Sequence, residues 1–132
     1  MILRTVQKVV QYLLTHQISS SINWEQPKAR VYGKEFLVPR LTSFLAIRGV
    51  EYSYSGVEHK GEGWPSWFVP LLNDVQDYCD VDFNGCLLNL YRNGEDCKGW
   101  HADNEKDIDA SKHIASVSLG SKTEYLLRNL II

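Results

Sequence analysis

The triplet His101-Ala102-Asp103 is the sharpest chemical feature of this 132-residue sequence. In an extended segment, residues two apart point to the same face. An imidazole nitrogen and a carboxylate oxygen can then grip one ion from one side. One more histidine from elsewhere would complete a two-His-one-carboxylate facial triad, which holds iron(II) and leaves positions open for a cosubstrate and O2. Surface polar residues form the same triplet, so its surroundings decide. Upstream, Asn89 and Tyr91 are again two apart and share one face of a strand whose Leu88 and Leu90 take the other. An amide NH2 and a phenol OH are donors suited to a carboxylate. A hydrogen-bonded structural pair is the alternative interpretation of two polar groups in a leucine-rich strand.

Three linked blocks extend this pattern. They are Asn89-Leu90-Tyr91-Arg92-Asn93-Gly94-Glu95-Asp96, Trp100-His101-Ala102-Asp103-Asn104-Glu105, and Ile114-Ala115-Ser116-Val117-Ser118-Leu119-Gly120. With Val31-Tyr32-Gly33-Lys34, Val38-Pro39-Arg40 and Tyr52-Ser53-Tyr54-Ser55-Gly56 upstream, the order and spacing resemble the AlkB family of iron(II)- and 2-oxoglutarate-dependent dioxygenases over roughly residues 22–128. The resemblance implies that His101 and Asp103 are the first two iron ligands, that Asn89 and Tyr91 contact 2-oxoglutarate, and that Ile114 and Ser116 line the same cavity. It also implies that Tyr52, Tyr54 and Ser55 wall the pocket for a flipped base, with Asn104 and Glu105 as polar contacts to it. Tyr32 stands where DNA-repair members place an aromatic wedge, and Arg40 belongs to the substrate side. The implied activity is oxidative demethylation of N-alkylated bases, of the 1-methyladenine and 3-methylcytosine type, in DNA or RNA. The methyl group leaves as formaldehyde. A base must leave the stack to be reached, and damaged, poorly paired bases cost least to flip.

The family's second metal histidine and its 2-oxoglutarate-binding arginine lie well beyond HxD. After Asp103 this sequence holds only His113 and Arg128, and neither falls at those positions. The expectation is a C-terminally truncated domain, inactive by itself, with exposed sheet edges unless a second chain supplies the missing strands. A non-catalytic nucleic-acid-binding remnant is the alternative. An oxygenase acting on a protein or small molecule is a weaker third, opposed by Tyr32 and the paired tyrosines.

The elements that must position these residues are legible from periodicity. Leu3, Val6, Val9, Val10, Leu13 and Leu14 recur at helical spacing, which predicts a helix over residues 2–16. Its Arg4 and Lys8, with no acidic residue before Glu25, faintly resemble a transit peptide. An amphipathic helix of the domain is the simpler interpretation. Ile22 and Trp24 alternate like a short strand, and residues 30–56 read as short strands and loops. A second helix is predicted from Pro65 to about residue 79, with Trp67, Phe68, Leu71, Leu72, Val75 and Tyr78 as its apolar stripe. Residues 86–91, 113–119 and 123–128 read as strands, with a turn at Asn93-Gly94. The predicted fold is a single α+β domain over residues 1–132 with a mostly antiparallel sheet. The resemblance makes that sheet an incomplete double-stranded β-helix, or jelly roll, packed against two helices.

Apolar residues are 44% and charged residues 23% of the sequence, the balance of a soluble globular protein. No apolar run reaches the roughly 20 residues of a membrane helix. The net charge of −2 carries no overall bias toward nucleic acid, but its distribution is uneven. Residues 26–50 hold Lys28, Arg30, Lys34, Arg40 and Arg48 against Glu35 alone, whereas residues 74–109 are strongly acidic. One basic edge could dock a phosphate backbone; a solvated surface is the alternative. Cys79, Cys86 and Cys97 have neither disulfide nor zinc spacing. Together with apolar surroundings for Cys79 and Cys86, they point to a reducing compartment, cytoplasmic or nuclear, and not to secretion.

Overall fold

The structure is a computed structural model that describes residues 21–54, 57–97 and 114–117. The helix expected over 2–16, the strand expected over 123–128 and the residues Ser55, His101, Asp103, Asn104 and Glu105 lie outside the described residues. Among the described residues, six strands and one helix follow in order: β1 (Lys28–Val31), β2 (Lys34–Leu37), β3 (Leu41–Ala46), β4 (Glu51–Tyr54), β5 (Val57–Lys60), α1 (Val69–Cys79) and β6 (Gly85–Leu90). The strands pair antiparallel as β1-β2, β3-β6 and β4-β5. Antiparallel pairing and one of the two expected helices are thus present among the described residues, in three two-stranded ladders and not in one continuous sheet.

The β3-β6 ladder is the platform. Its register opposes Thr42 to Asn89, Phe44 to Leu87 and Leu45 to Cys86. Side chains alternate along a strand, so Leu45, Cys86 and Leu88 fall on one face, and Thr42, Phe44, Leu87 and Asn89 on the other. The first face packs against Phe68, Leu72 and Val75 of the helical segment and against Phe83. The second face carries a smaller cluster of Phe44, Tyr52 and Leu87. Each strand therefore separates the core beside the helix from a second face with a smaller cluster of its own.

The helix begins later than the sequence suggests. Phe68 N–H donates to Pro65 O at 2.9 Å, making a turn, and Leu72 N–H to Phe68 O at 3.0 Å opens α1. Pro70 then occupies the first turn, where its missing N–H costs nothing. The buried stripe runs Phe68, Leu72, Val75 and Cys79, whereas Tyr78 is exposed. Spacings of four, three and four keep one face of a 3.6-residue helix, and Tyr78 lies beside it. The chain leaves the helix through Asp80 in the left-handed region (φ 53°), with its N–H on Gln76 O. The Gln76 side chain accepts the Phe83 N–H at 2.9 Å, which directs Phe83 into the core.

Two strand expectations are corrected. Ile22 and Trp24 form no strand; only an isolated bridge joins Glu25 to Thr42. Residues 114–117 carry no strand pairing, yet Ala115 and Val117 pack on the helix-side core while Ile114 and Ser116 are exposed. The alternation predicted for that segment is present without a ladder among the described residues.

Cys86 is 1% exposed, and burial pushes its thiol up to about 12. The thiolate is the reactive species, so Cys86 is expected to resist iodoacetamide in the native chain while exposed Cys97 is alkylated. Peptide mass spectrometry after brief labelling checks this; equal labelling would show that the β6 core opens readily.

Candidate cosubstrate and substrate site

Arg40, Thr42 and Phe44 are two apart in sequence and line the face of β3 opposite the helix. Extending the β3-β6 register by one residue places Arg40 across from Tyr91 and diagonal to Asn89. Arg40 is 4% exposed, and its Nε donates to Asn89 Oδ1 at 2.9 Å. The guanidinium can only donate, so the oxygen of the Asn89 amide must face it and the NH2 must face the other way. The sequence grouped Arg40 with the basic edge, but its side chain is enclosed in the sheet face beside Asn89.

The wall of this face comes from the β4-β5 hairpin. Tyr52 pairs across the hairpin with His59, and both rings rest on Phe44. The Tyr52 ring stacks at 5.3 Å between centroids, and the His59 ring lies tilted at 5.6 Å. Tyr52 is buried beside Leu87, two residues before Asn89. Of the tyrosines that the resemblance assigns to a base pocket, Tyr52 is thus packed on Phe44, and Tyr54 contributes backbone to β4. Phe44, His59, Thr42 and Leu87 were not singled out by sequence. The alternation of Thr42 and Phe44 with Leu41, Ser43 and Leu45 was the available signal.

Beyond β6, Tyr91 is half-buried just outside the strand. The Asn93-Gly94 turn forms as expected, with Asn93 Oδ1 accepting the Glu95 N–H at 2.9 Å. Arg92 and Asp96 close the loop through a bidentate pair, Nε to Oδ2 at 2.7 Å and Nη2 to Oδ1 at 3.0 Å, while Asp96 Oδ2 also accepts the Arg92 N–H at 2.9 Å. These bonds from Arg92 hold the Asp96 carboxyl below its usual range. The Cys97 N–H donates to Pro39 O at 2.8 Å. The segment that continues toward His101 and Asp103 is thereby tied to the corner that carries Arg40.

Upstream of this corner, β1 and β2 form a hairpin whose two-residue loop is Tyr32-Gly33, with φ of 49° and 77°. Two positive values are those of the type I′ turn, which suits strand twist. Tyrosine pays a steric penalty there, and its ring is fully exposed. Lys28, Arg30 and Lys34 are exposed on the same hairpin, with Lys28 paired to Glu35 at 2.9 Å. Val38 N–H to Pro27 O and Gln26 Nε2 to Val38 O anchor its base.

A sequence model described as the 2OG-Fe(II) oxygenase superfamily matches residues 4–130. The chain belongs to that superfamily, as an AlkB-like member. It is 34% identical to the DNA oxidative demethylase ALKBH2 of Arabidopsis thaliana, over 84% of this chain and 37% of that protein. It is 35% identical to mouse (Mus musculus) ALKBH2, over 77% of this chain and 43% of that protein. The human (Homo sapiens) alpha-ketoglutarate-dependent dioxygenase alkB homolog 3 is 28% identical over 87% of this chain and 40% of its own length. The chain thus spans about two-fifths of the length of these relatives. Membership in the superfamily implies a jelly-roll fold, iron(II) and 2-oxoglutarate.

The described residues fit the cosubstrate. With its oxygen engaged by Arg40, Asn89 keeps an NH2 of the donor type that suits a carboxylate or keto oxygen. No group of three His, Cys, Asp or Glu side chains able to hold a metal occurs among the described residues. The two ligands that the motif assigns, His101 and Asp103, lie outside them.

Proposed function

We propose that this chain contributes the iron- and 2-oxoglutarate-binding half of an oxidative demethylase acting on N-alkylated bases in DNA or RNA. The observation that carries the proposal is the orientation of Asn89. It is a polar residue on a sheet face walled by Tyr52, Phe44 and His59, with its donor directed away from Arg40. In this assignment His101 and Asp103 ligate iron(II), and Asn89 and Tyr91 hold 2-oxoglutarate. Ile114 and Ser116 line the same cavity. Tyr52, Tyr54 and Ser55 receive the flipped base, and Asn104 and Glu105 contact its polar edge. Bound iron(II), with 2-oxoglutarate and O2, supplies oxidation of the N-methyl group. The protein's own part is to orient the cosubstrate and to hold the base against an aromatic wall.

The test is formaldehyde release from oligonucleotides carrying 1-methyladenine or 3-methylcytosine, with iron(II), 2-oxoglutarate and O2. It is run on the 132-residue chain and on the longest polypeptide that its coding DNA specifies. The 132-residue chain is expected to bind Mn(II) weakly, because two ligands define a poor site, and to release no formaldehyde. Release by the longer polypeptide that disappears in His101→Ala supports the proposal. Duplex binding without any 2-oxoglutarate-dependent release would overturn it in favour of a non-catalytic binding remnant.

The β1-β2 hairpin supplies a second expected outcome. A fully exposed aromatic at a left-handed turn position is strain kept at the surface, where it contributes nothing to a core. A wedge entering a gap in the duplex is the use that this geometry favours. In duplex binding, Tyr32→Ala is expected to cost roughly 1–3 kcal/mol with little change in salt dependence. Lys34→Ala is expected to flatten the log–log salt slope by about one unit. Equal, salt-independent losses in both variants would indicate unfolding of the hairpin and not two kinds of contact.

A further inference from the structure

We propose that Arg40 is a positioning residue for the cosubstrate, acting through Asn89 and not through a phosphate of the nucleic acid. The inference deepens the functional assignment above and rests on it for the identity of the ligand. Four observations support it. Arg40 is almost wholly enclosed, so its side chain is not available to a backbone phosphate as the exposed Lys28, Arg30 and Lys34 are. Its Nε donates to Asn89 Oδ1 at 2.9 Å across 49 residues of sequence, a contact that only the β3-β6 register creates. Asn89 faces Thr42, also buried, so the amide lies between two fixed side chains on one sheet face. Finally, the Arg40 corner is held on both sides. Its own N–H donates to Val38 O at 2.8 Å, and Pro39 O accepts the Cys97 N–H.

An asparagine amide has two nearly isosteric orientations, and only one presents NH2 to an anionic ligand. A neighbouring donor that cannot accept removes the other. The site is then organised before the ligand arrives, and binding free energy is not spent on turning the amide. The same contact joins the corner at the base of the β1-β2 hairpin to the strand that holds the cosubstrate.

The first measurement needs no substitution. In the 15N,13C-labelled 132-residue chain, a scalar coupling across the hydrogen bond between Arg40 Nε and Asn89 Cγ is expected, together with a well-resolved Asn89 NH2 pair. Arg40→Lys should collapse that pair toward the shift of a solvent-exposed amide. In the longest polypeptide that the coding DNA specifies, titration of 2-oxoglutarate with Mn(II), without O2, should show Arg40→Lys and Asn89→Ala each weakening binding roughly ten- to hundredfold, the range for one hydrogen bond to a charged group. Arg40→Lys/Asn89→Ala together should be no weaker than Asn89→Ala alone. Additive losses would show that Arg40 contacts the ligand directly and would overturn the proposal. So would an Asn89 NH2 pair unmoved in Arg40→Lys, or a missing coupling in the parent chain. Should the longest polypeptide that the coding DNA specifies fail to bind 2-oxoglutarate while the coupling is present, the functional assignment fails and the Arg40–Asn89 geometry stands.

Discussion

Phe68→Ala is expected to destabilise the chain by about 3–5 kcal/mol, the usual cost of emptying a buried phenylalanine site. Phe68 is 1% exposed. Trp64 stacks on it at 5.3 Å, and Trp67 meets it edge-on at 5.7 Å. Each aromatic pair adds roughly 0.5–1.5 kcal/mol beyond area burial, so the upper half of the range is the better expectation. The residue is also the N-cap of α1, so the hole opens where the helix meets the sheet. Partial collapse would move Cys86 and Leu88, which share this core. Asn89 lies on the opposite face of the same strand and would lose its fixed position. Urea unfolding of Phe68→Ala should show a lower midpoint at unchanged slope, since the surface exposed on unfolding hardly changes. Tyr78→Ala, an exposed residue on the same helix, should stay within about 0.5 kcal/mol of the parent. Similar losses in the two variants would mean that the packing described for α1 is wrong.

That contrast between Phe68 and Tyr78 also marks what was legible in the sequence. The 3.6-residue period exposes a stripe through Phe68, Leu72 and Val75, but two neighbouring positions, Tyr78 and Cys79, compete to end it. Only the angle at which the helix meets β6 decides between them. Alternation identified the Asn89 strand and separated its polar face from Leu88. The face itself was not legible, because it depends on which strand pairs with β6 and in what register. Arg40 shows the cost of missing that information. In sequence it is one of five cations in a basic run. In space it is the enclosed neighbour of Asn89, because a register reaching across 49 residues folds the Pro39 corner inward. The strongest chemical motif, His101-Ala102-Asp103, was read from residue type and spacing, and its geometry lies outside the described residues.

Gly61→Ala is expected to be as damaging as the loss of Phe68's ring, by the opposite mechanism. A Cβ at Gly61 would overlap the Ile47 carbonyl oxygen and stand 2.8 Å from the Ala46 Cβ. Neither is the far end of a flexible side chain, so backbone must move. The Ile47 oxygen is also the acceptor for the Val50 N–H, and Gly61 itself donates to Val50 O at 2.7 Å. Relieving the overlap therefore disturbs a turn as well as packing. Overpacking costs about 1–3 kcal/mol, and a buried backbone group left unpaired costs a further 1–3 kcal/mol, so a loss of roughly 3 kcal/mol or more is expected. Gly49 is the control. It has φ of 89° with open space around it, so Gly49→Ala meets only the left-handed backbone penalty of about 1–2 kcal/mol. The consequence for the site distinguishes Gly61 further. Gly61 follows β5 directly and fixes how the β4-β5 hairpin lies on β3, so displacement should separate Tyr52 and His59 from Phe44. Ring-current shifts at the Phe44 and Tyr52 protons should fall toward random-coil values in Gly61→Ala and stay unchanged in Gly49→Ala. A Gly61→Ala variant within about 0.5 kcal/mol of the parent, with the Tyr52 ring shifts intact, would show that β5 does not approach β3 this closely and that the aromatic wall is held by other contacts.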